Sequence, residues 1–478
     1  MPLPLDALLD DHDGLALADL IRRGEVSPLE LLEAVIARIE ARDPAVNAVV
    51  HRAYDEARAE LAKGALDGPF AGLPFLVKDL YSFRKGWPCG NGSRWLADYR
   101  ALFDDPMVAR WRAAGLIVLG KTATSEFGLN VSTETRQHGA TRNPWAPDRS
   151  PGGSSGGAAA AVAAGMLPMA HASDGGGSIR IPAACCGLFG LKPSRGRNPT
   201  SDAWAGLAVF HAVTRSVRDS AVLLDAICGP PGHHPYSLPK PETPFLQAVG
   251  RDPVGQDGER LRIAWTTRTP EDVELHPECR AAVVRAATLA SELGHEVVEA
   301  DPEIDHVSLR QTMITIVAAN MADALGPGNP LRPEGAAAED VETISWRFAE
   351  RGAVLPAADY LRAQARVRAV GERLAGFMRD YDLLMTPTMA QPAPPLGLLD
   401  TTLDDFDGFN RAVRPYVAFT QMFNMSGQPA ASLPLHWTPE GLPVGVQVAA
   451  KVGDEAVIFA LSGQLEAAQP WFHRPPST

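Results

Sequence analysis

Cysteine is scarce in this chain, and basic residues are outnumbered by acidic ones. The 478 residues include five cysteines, an odd number without the paired spacing of a zinc site or a disulfide framework. The adjacent Cys185 and Cys186 are more typical of small apolar core residues than of ligands. Lysine and arginine total 44 against 57 acidic residues, a formal net charge of −13. No basic block offsets this charge, so the sequence argues against a nucleic-acid partner.

Long hydrophobic runs are also missing. The longest stretch of low charge, around residues 158–170, is rich in small residues and interrupted by glycine and proline, so it does not predict a membrane span. The N-terminal segment has neither a basic nor an apolar region of the kind found in signal peptides. We therefore expect a cytoplasmic, reduced protein without a membrane partner.

Glycine is concentrated between residues 152 and 192. Two serine sites are enclosed by glycines, GGSSGG at residues 152–157 and GGGS at residues 175–178. The Ala-rich run between them predicts a helix of about three turns. Clustered glycines suit a backbone that brings its N–H groups close to a ligand. Ser178 is therefore a candidate nucleophile whose neighbouring N–H groups receive an oxyanion. The alternative is two ordinary loops that flank a buried helix.

A serine nucleophile needs a base, and Lys78 is a candidate. Residues 73–79 (LPFLVKD) have the pattern of a buried strand whose end carries this lysine. A desolvated lysine can reach a pKa of about 7–8, which suits a general base. Ser154 could then carry a proton between Lys78 and Ser178. Two alternatives stay open: Lys78 reaches solvent at the strand end, or His171 is the base.

Three motifs match the sequence by letter, but their sequence context argues against the function that each would indicate. Residues 115–122 match a P-loop by letter, but the intervening residues form a strand and cannot cradle a phosphate. Residues 152–156 match a nucleophile elbow, yet a loop precedes them where a strand is required. Residues 82–85 have the S-x-x-K spacing of penicillin-recognising enzymes without the companion motifs of that class.

Helix and strand patterns alternate along the chain. Ser27 begins a capping box that opens a helix to about Arg42, and residues 301–381 are mostly helical. Short strands are predicted at residues 116–119, 261–265 and 383–388, and a late strand pair at residues 430–435 and 445–448. Because no repeat or linker separates these segments, we predict one large α/β unit.

The glycine–serine sites belong to a longer series of motifs. VKD, GKT, EFG and TRNPW occur at residues 77–79, 120–122, 126–128 and 141–145. DGGGSIRIPA, GLKP, GQPA and GLPVGVQ follow at residues 174–183, 190–193, 427–430 and 441–447. In this order and spacing, over nearly the whole chain, they resemble the amidase-signature family of Ser–Ser–Lys hydrolases.

The resemblance assigns roles to particular residues. It implies that Ser178 is the nucleophile, that Lys78 is the base, and that Ser154, after a cis peptide bond, is the bridging serine. Asp174 and Arg180 would hold the loop between them. The backbone N–H groups that would form the oxyanion hole are those of Gly175, Gly176, Gly177 and Ser178. The resemblance implies no metal and no organic cofactor.

The resemblance also implies an architecture. We expect one domain over residues 1–478, with a central twisted mixed β-sheet covered by helices on both faces. Residues 1–65 would form a helical N-terminal layer, residues 66–230 the catalytic core, and residues 300–380 a variable helical segment that shapes the pocket. Gly128 would border the scissile group of the substrate.

Two departures from the family pattern affect the site. The family often has Gly-Thr-Asp-Thr where this chain has Ala172-Ser173-Asp174-Gly175, and the GKT motif is commonly followed by asparagine rather than by Ala123. Neither change removes a catalytic group. Within the family, residues 140–145, 216–219 and 423–430 are most similar to the 6-aminohexanoate cyclic dimer hydrolase group.

The sequence thus predicts a hydrolase of amide C–N bonds that works through an acyl-enzyme. Its expected substrates are small uncharged linear or cyclic amides, including 6-aminohexanoate-type oligomers. An esterase or carbamate hydrolase with the same three residues is an alternative, and a non-catalytic or transamidation-subunit relative is another. A small-molecule amide is the expected partner, and a homodimer is left open.

Substrate selectivity is expected from residues 301–360, which contain none of the motifs. An apolar stripe in this segment consists of Met313, Ile314, Ile316, Val317, Met321 and Leu325. Either the stripe is the core face of a helix, or part of it lines an apolar channel over Ser178. No cluster of basic residues in this segment indicates a carboxylate clamp, which favours uncharged substrates.

Overall fold

The strands alternate with helices over the whole described chain. The structure is a computed structural model that describes residues 5–64, 66–199, 203–229, 236–255, 258–474 and 476. The strands are β1 (Val49–Arg52), β2 (Pro74–Lys78), β3 (Ile117–Thr122), β4 (Glu134–Thr135), β5 (Gly139–Ala140), β6 (Met169–Asp174), β7 (Phe189–Lys192), β8 (Val209–Thr214), β9 (Arg262–Trp265), β10 (Glu296–Glu299), β11 (Leu383–Pro387), β12 (Ala430–Trp437) and β13 (Pro443–Ala450).

The helices before the middle of the chain are α1 (Leu5–Asp11), α2 (Gly14–Arg22), α3 (Pro28–Val46), α4 (Tyr54–Leu61), α5 (Pro106–Ala113), α6 (Gly156–Ala163), α7 (Arg180–Cys186), α8 (Ala203–Gly206) and α9 (Val217–Ile227). Those that follow are α10 (Phe245–Val249), α11 (Pro277–Glu292), α12 (His306–Leu325), α13 (Thr343–Ala353), α14 (Ala357–Phe377), α15 (Phe406–Val417), α16 (Gln421–Ser426) and α17 (Glu455–Ala468).

Eleven strands form one mixed sheet, in the order β1-β3-β2-β6-β8-β7-β12-β13-β11-β9-β10. Strands β2, β3 and β6 run parallel to one another, and β9, β10 and β11 form a second parallel group. The strands between these groups, from β6 through β13 to β11, are paired antiparallel. The β4–β5 pair stands apart as a two-stranded sheet.

Two hydrophobic cores lie on opposite faces of the sheet. Leu383 and Met385 of β11 point to a core shared with α9, α10, α11 and α17. Leu384, between them, belongs to the larger core that also contains α6, α7 and α12–α14. Side chains alternate between faces along a strand, so each strand contributes to both cores. The predicted mixed sheet with helices on both faces is confirmed.

Helix boundaries follow the capping residues. The Ser27 side chain accepts the N–H of Glu30 while the Glu30 carboxylate accepts the N–H of Ser27, which confirms the capping box of α3. The helix ends at Val46, beyond the predicted Arg42, because Pro44 is tolerated in its last turn and Val46 is buried. The Ala-rich helix α6 has only eight residues, shorter than predicted, since Gly165 turns the chain away at φ 69°.

The β3 strand excludes a P-loop at residues 115–122. Residues 117–122 are all strand, and Lys121 is fully buried, where its Nζ donates to Asp79 at 3.0 Å. All five cysteines are buried and free. Among the helices of the described chain, none combines the length and the apolar character needed to cross a membrane.

Candidate active site

The site is built where β2 and β6 end side by side. Lys78 is the last residue of β2 and is completely buried, so it does not reach solvent at the strand end. Its Nζ lies 2.7 Å from Oγ of Ser154 and 3.0 Å from Oγ of Ser173, and it donates to both. The amine is therefore held between two hydroxyl groups.

Burial decides the protonation of Lys78. Removal of the ammonium from water lowers the pKa of Lys78 well below its usual range, and the nearby Asp174 carboxylate offsets this only in part. A lysine with a lowered pKa is neutral at a lower pH than usual. A neutral amine has a lone pair and can accept a proton, as a general base must.

Ser154 is placed by the loop before α6. The Gly153–Ser154 peptide bond is cis, as the resemblance implies. A Cβ on Gly153 would lie 2.7 Å from the carbonyl oxygen of Asn130, so only glycine fits at this position. The neighbouring Ser155 accepts the N–H of Ser173 and donates to its carbonyl group, which ties the GGSSGG loop to β6.

The loop after β6 is organised by the Asp174 carboxylate. It accepts the N–H of Gly177 at 2.8 Å and that of Ile179 at 3.2 Å. Two nitrogens of the buried Arg180 also donate to it, each at 2.9 Å. Burial alone would raise the pKa of Asp174, but Arg180 and Asn424 hold it well below its usual range. Asp174 therefore stays ionised and holds the N–H groups of the loop.

Arg180 also joins the loop to the C-terminal part of the chain. Its guanidinium donates to Oε1 of Gln447 at 2.7 Å, Oδ1 of Asn424 at 2.7 Å and the carbonyl of Thr420 at 2.9 Å. The Thr420 hydroxyl in turn donates to the carbonyl of Gly176 at 2.7 Å. These contacts join the loop motif to the late GLPVGVQ motif through Gln447.

Ser178 lies at the end of this loop and is 8% exposed. In the part of the chain that the structure describes, its Oγ makes no hydrogen bond, so Ser154 and Ser178 are not bonded directly. Gly128 approaches both: it lines the same cavity as Ser178, and a Cβ on it would lie 3.4 Å from Oγ of Ser154. The predicted residues thus gather around one small space.

The N–H groups of this loop are not equivalent. The N–H of Gly177 already donates to Asp174, so it is not free to hold an oxyanion. Within the described residues, the N–H groups of Gly175, Gly176 and Ser178 have no intramolecular acceptor. Gly177 is required for another reason: its φ is 132°, and a Cβ there would lie 2.6 Å from both Ile181 and Thr420.

His171, the alternative base, is engaged elsewhere. Its Nδ1 accepts the backbone N–H of Lys78 at 3.2 Å, and its ring packs between Trp111 and Phe210. Burial and the neighbouring Lys78 lower the pKa of His171 well below its usual range. His171 is not among the described residues that line the cavity with Ser178. Its contacts are those of a core residue behind Lys78.

Comparison with known proteins shows the family of the chain. The family model described as Amidase matches residues 30–459. The chain belongs to the amidase-signature family. As an amidase, it is a hydrolase of carbon–nitrogen bonds other than peptide bonds.

Similar proteins cover almost the whole amidase. The 6-aminohexanoate-cyclic-dimer hydrolase of Pseudomonas sp. (strain NK87) is 38% identical over 97% of this chain and 96% of its own. The solved structure of 6-aminohexanoate cyclic dimer hydrolase complexed with substrate has a TM-score of 0.91 at 38% identity, over 98% of each chain. A bacterial aryl acylamidase of the amidase-signature family has a TM-score of 0.87 at 28% identity, over 98% of this chain and 99% of its own.

A cavity of about 80 Å³, which we call the inner cavity, contains Ser178, Gly128 and Gly176. Two helices of the amidase, α12 and α15, provide half of its lining residues. Met313, Ile314 and Val317 of α12 line it, so part of the predicted stripe faces Ser178. Three other residues of the stripe belong to the hydrophobic core and not to the lining: Ile316, Met321 and Leu325.

Sequence inspection missed three kinds of contact in this amidase. Ser173 accepts a hydrogen bond from Lys78. The sequence signal for this contact was that Ser173 keeps a hydroxyl group where the family often has threonine. Asn424 and Gln447 lay inside quoted motifs, but no spacing indicated that both bind Arg180. Arg310 and Arg414 line the inner cavity from two different helices. They are far apart in the sequence, so no local pattern indicated that they form a basic pair.

Proposed function

We propose that this amidase forms an acyl-enzyme on Ser178, with Lys78 as the base and Ser154 as the bridge between them. The observation that supports this most is the buried amine of Lys78, 2.7 Å from the Ser154 hydroxyl, with its pKa lowered. A buried lysine next to a hydroxyl and a glycine-rich loop is costly to maintain without a chemical role.

In the proposed reaction, the Oγ of Ser178 attacks the amide carbon while its proton passes through Ser154 to Lys78. The free N–H groups of Gly175, Gly176 and Ser178 stabilise the oxyanion. The C–N bond then breaks as the leaving amine receives the proton from Lys78 through Ser154. Water repeats the sequence on the ester, which releases the acid and restores Ser178.

The inner cavity supports small amides with an uncharged, largely apolar group next to the scissile bond. Met313, Ile314, Val317 and Phe348 contribute apolar surface, and residues 300–380 thus shape the pocket. The similarity to 6-aminohexanoate-cyclic-dimer hydrolases favours aliphatic linear or cyclic amides of the 6-aminohexanoate type.

The proposal is tested with purified protein and a fluorophosphonate probe, followed by amide, ester and carbamate substrates in parallel. In the parent protein, the probe is expected to label Ser178 and no other serine. The Ser178→Ala variant should therefore be unlabelled and inactive. Lys78→Ala should lose nearly as much activity, and Ser154→Ala should retain a residual rate because water can replace its hydroxyl. Full hydrolysis by Ser178→Ala would overturn the mechanism. Esters or carbamates cleaved in place of amides would overturn the proposed substrate class.

A further inference from the structure

Two arginines from different helices converge at the rim of the inner cavity. Arg310 lies on α12, one turn before Met313, and Arg414 lies near the end of α15. Both guanidinium groups reach the same oxygen, Oδ2 of Asp272, with Arg310 at 3.4 Å. Two positive charges thus share one carboxylate, which leaves one unit of positive charge at the rim.

The same arginines border a second, larger space. This outer cavity, of about 610 Å³, contains Asp272 and is lined by Arg310, Arg414, Val417 and Gln421, all four of which also line the inner cavity. The two cavities therefore adjoin along these residues. Arg310 and Arg414 lie on the boundary that the two cavities share.

The small size of the inner cavity makes its boundary with the outer cavity relevant to substrate binding. Its volume of about 80 Å³ lies far below the roughly 300–1,000 Å³ of small-molecule pockets, whereas the outer cavity lies within that range. An amide held against Ser178 with more than a short chain does not fit within the inner cavity alone, and the outer cavity adjoins it at the two arginines. The distal end of such an amide then lies within reach of their donors.

Three of the four other acidic residues of the outer cavity are already engaged, and the fourth, Glu271, is exposed. Asp301 accepts the N–H of Glu303 and the Thr266 hydroxyl, and Asp305 caps α12 through the N–H of Ser308. Glu303 pairs with Arg373 at 2.8 Å. By contrast, the arginine pair has donors to spare, since each guanidinium bonds Asp272 through Nη1 alone and neither Nη2 makes a hydrogen bond among the described residues.

We propose that Arg310 and Arg414 bind a carboxylate at the distal end of the substrate, so that the enzyme prefers amides that end in a carboxylate. Asp272 occupies the position proposed for that carboxylate and yields to it or shares the arginines with it. Guanidinium groups are suited to this role because they donate in a planar fork. The inference rests on the proposed amide hydrolysis at Ser178 and adds the class of substrate.

Paired substrates test the inference. N-hexanoyl-6-aminohexanoate is compared with its neutral analogue, in which a hydroxymethyl group replaces the carboxylate. A second pair carries the carboxylate or the hydroxymethyl group on the acyl half of an anilide. In at least one pair, the parent enzyme should cleave the carboxylate substrate with the higher kcat/KM. The double variant Arg310→Gln/Arg414→Gln should lose this preference by about 10-fold or more, the range expected for a charge-assisted hydrogen bond.

Controls separate this inference from the proposed function. Arg411→Gln removes an exposed arginine from the same helix and should leave both substrates unaffected. Asp272→Asn frees the pair and should raise kcat/KM for the carboxylate substrate alone. If the parent cleaves the neutral amides but shows no carboxylate preference, or if the double variant keeps it, the inference is wrong while the proposed function stands. If the parent cleaves no amide at all, the proposed function fails.

Discussion

At the scale of single residues, Lys78 determines how the proposed chemistry depends on pH. Its amine accepts a proton only when neutral, and burial has lowered its pKa. We therefore expect kcat/KM to fall as pH falls through the pKa of Lys78 and to reach a plateau above it. The measurement is a pH profile of amine release for the parent and for the residual activity of Lys78→Met. A limb that persists in the variant would implicate a different group, such as His171.

Ser173 provides a second prediction at this scale. Its hydroxyl accepts one of the two hydrogen bonds of Lys78, and its loss would leave the amine free to rotate away from Ser154. We expect Ser173→Ala to lower kcat by about 10-fold with little change in KM, because Ser173 is not among the residues that line the inner cavity. Ser173→Thr retains the hydroxyl and is the matched control. Equal kinetics for Ser173→Ala and the parent would contradict the positioning role.

At the scale of secondary structure, α12 carries two functions at different points along its length. Met313 lines the inner cavity, whereas Met321, two turns later, is 1% exposed in the core. We expect Met313→Ala to change the preference between short and bulky acyl groups by about 10-fold or more. Met321→Ala should leave that preference intact and lower the free energy of unfolding by about 2–5 kcal/mol. Rate ratios over an acyl series and thermal denaturation measure the two effects. Unchanged ratios in Met313→Ala would place the wall elsewhere.

The elements also show how far sequence inspection reaches. Helix α3 and strands β2, β3, β11, β12 and β13 were predictable because caps and apolar patterns are local signals. The strand β6, MAHASD, was not, because alanine, histidine and serine favour no extended conformation. Its strand conformation results from pairing with β2 and β8, which only the assembled sheet provides.

At the scale of the whole molecule, the site depends on contacts between distant segments. Arg180 meets Gln447 across 267 positions and Asn424 across 244. The motifs identified these segments as a set, so the residues of the candidate site could be named from the sequence. Which residues touch could not, since each contact depends on the complete sheet order. The Arg310–Arg414 pair could not be predicted either, because no motif contains these residues and their contact depends on the complete fold.

Glu126 links the catalytic core to the helical segment and makes this link sensitive to pH. Its buried carboxyl accepts hydrogen bonds from Ser93, from the Ser345 hydroxyl and from the N–H of Glu342. Burial and the Glu342 carboxylate raise the pKa of Glu126 to about 7, above the usual value near 4.5. The folded state therefore binds more protons than the unfolded state between these values, and this contribution to stability is lost as pH rises through 7.

We expect the denaturation midpoint of the parent to fall, relative to that of Glu126→Gln, by a few degrees between pH 5 and pH 8. Glutamine keeps the shape of the side chain but carries no charge at either pH. Its amide nitrogen replaces one accepting oxygen, and because that cost is the same at both pH values, the pH-dependent part of the difference reports the titration. Glu350→Gln, an exposed position on α13, controls for the loss of a surface charge. Thermal denaturation across this pH range measures the difference. If the parent and Glu126→Gln keep a constant difference, Glu126 does not titrate there, and the link between core and helical segment is indifferent to pH.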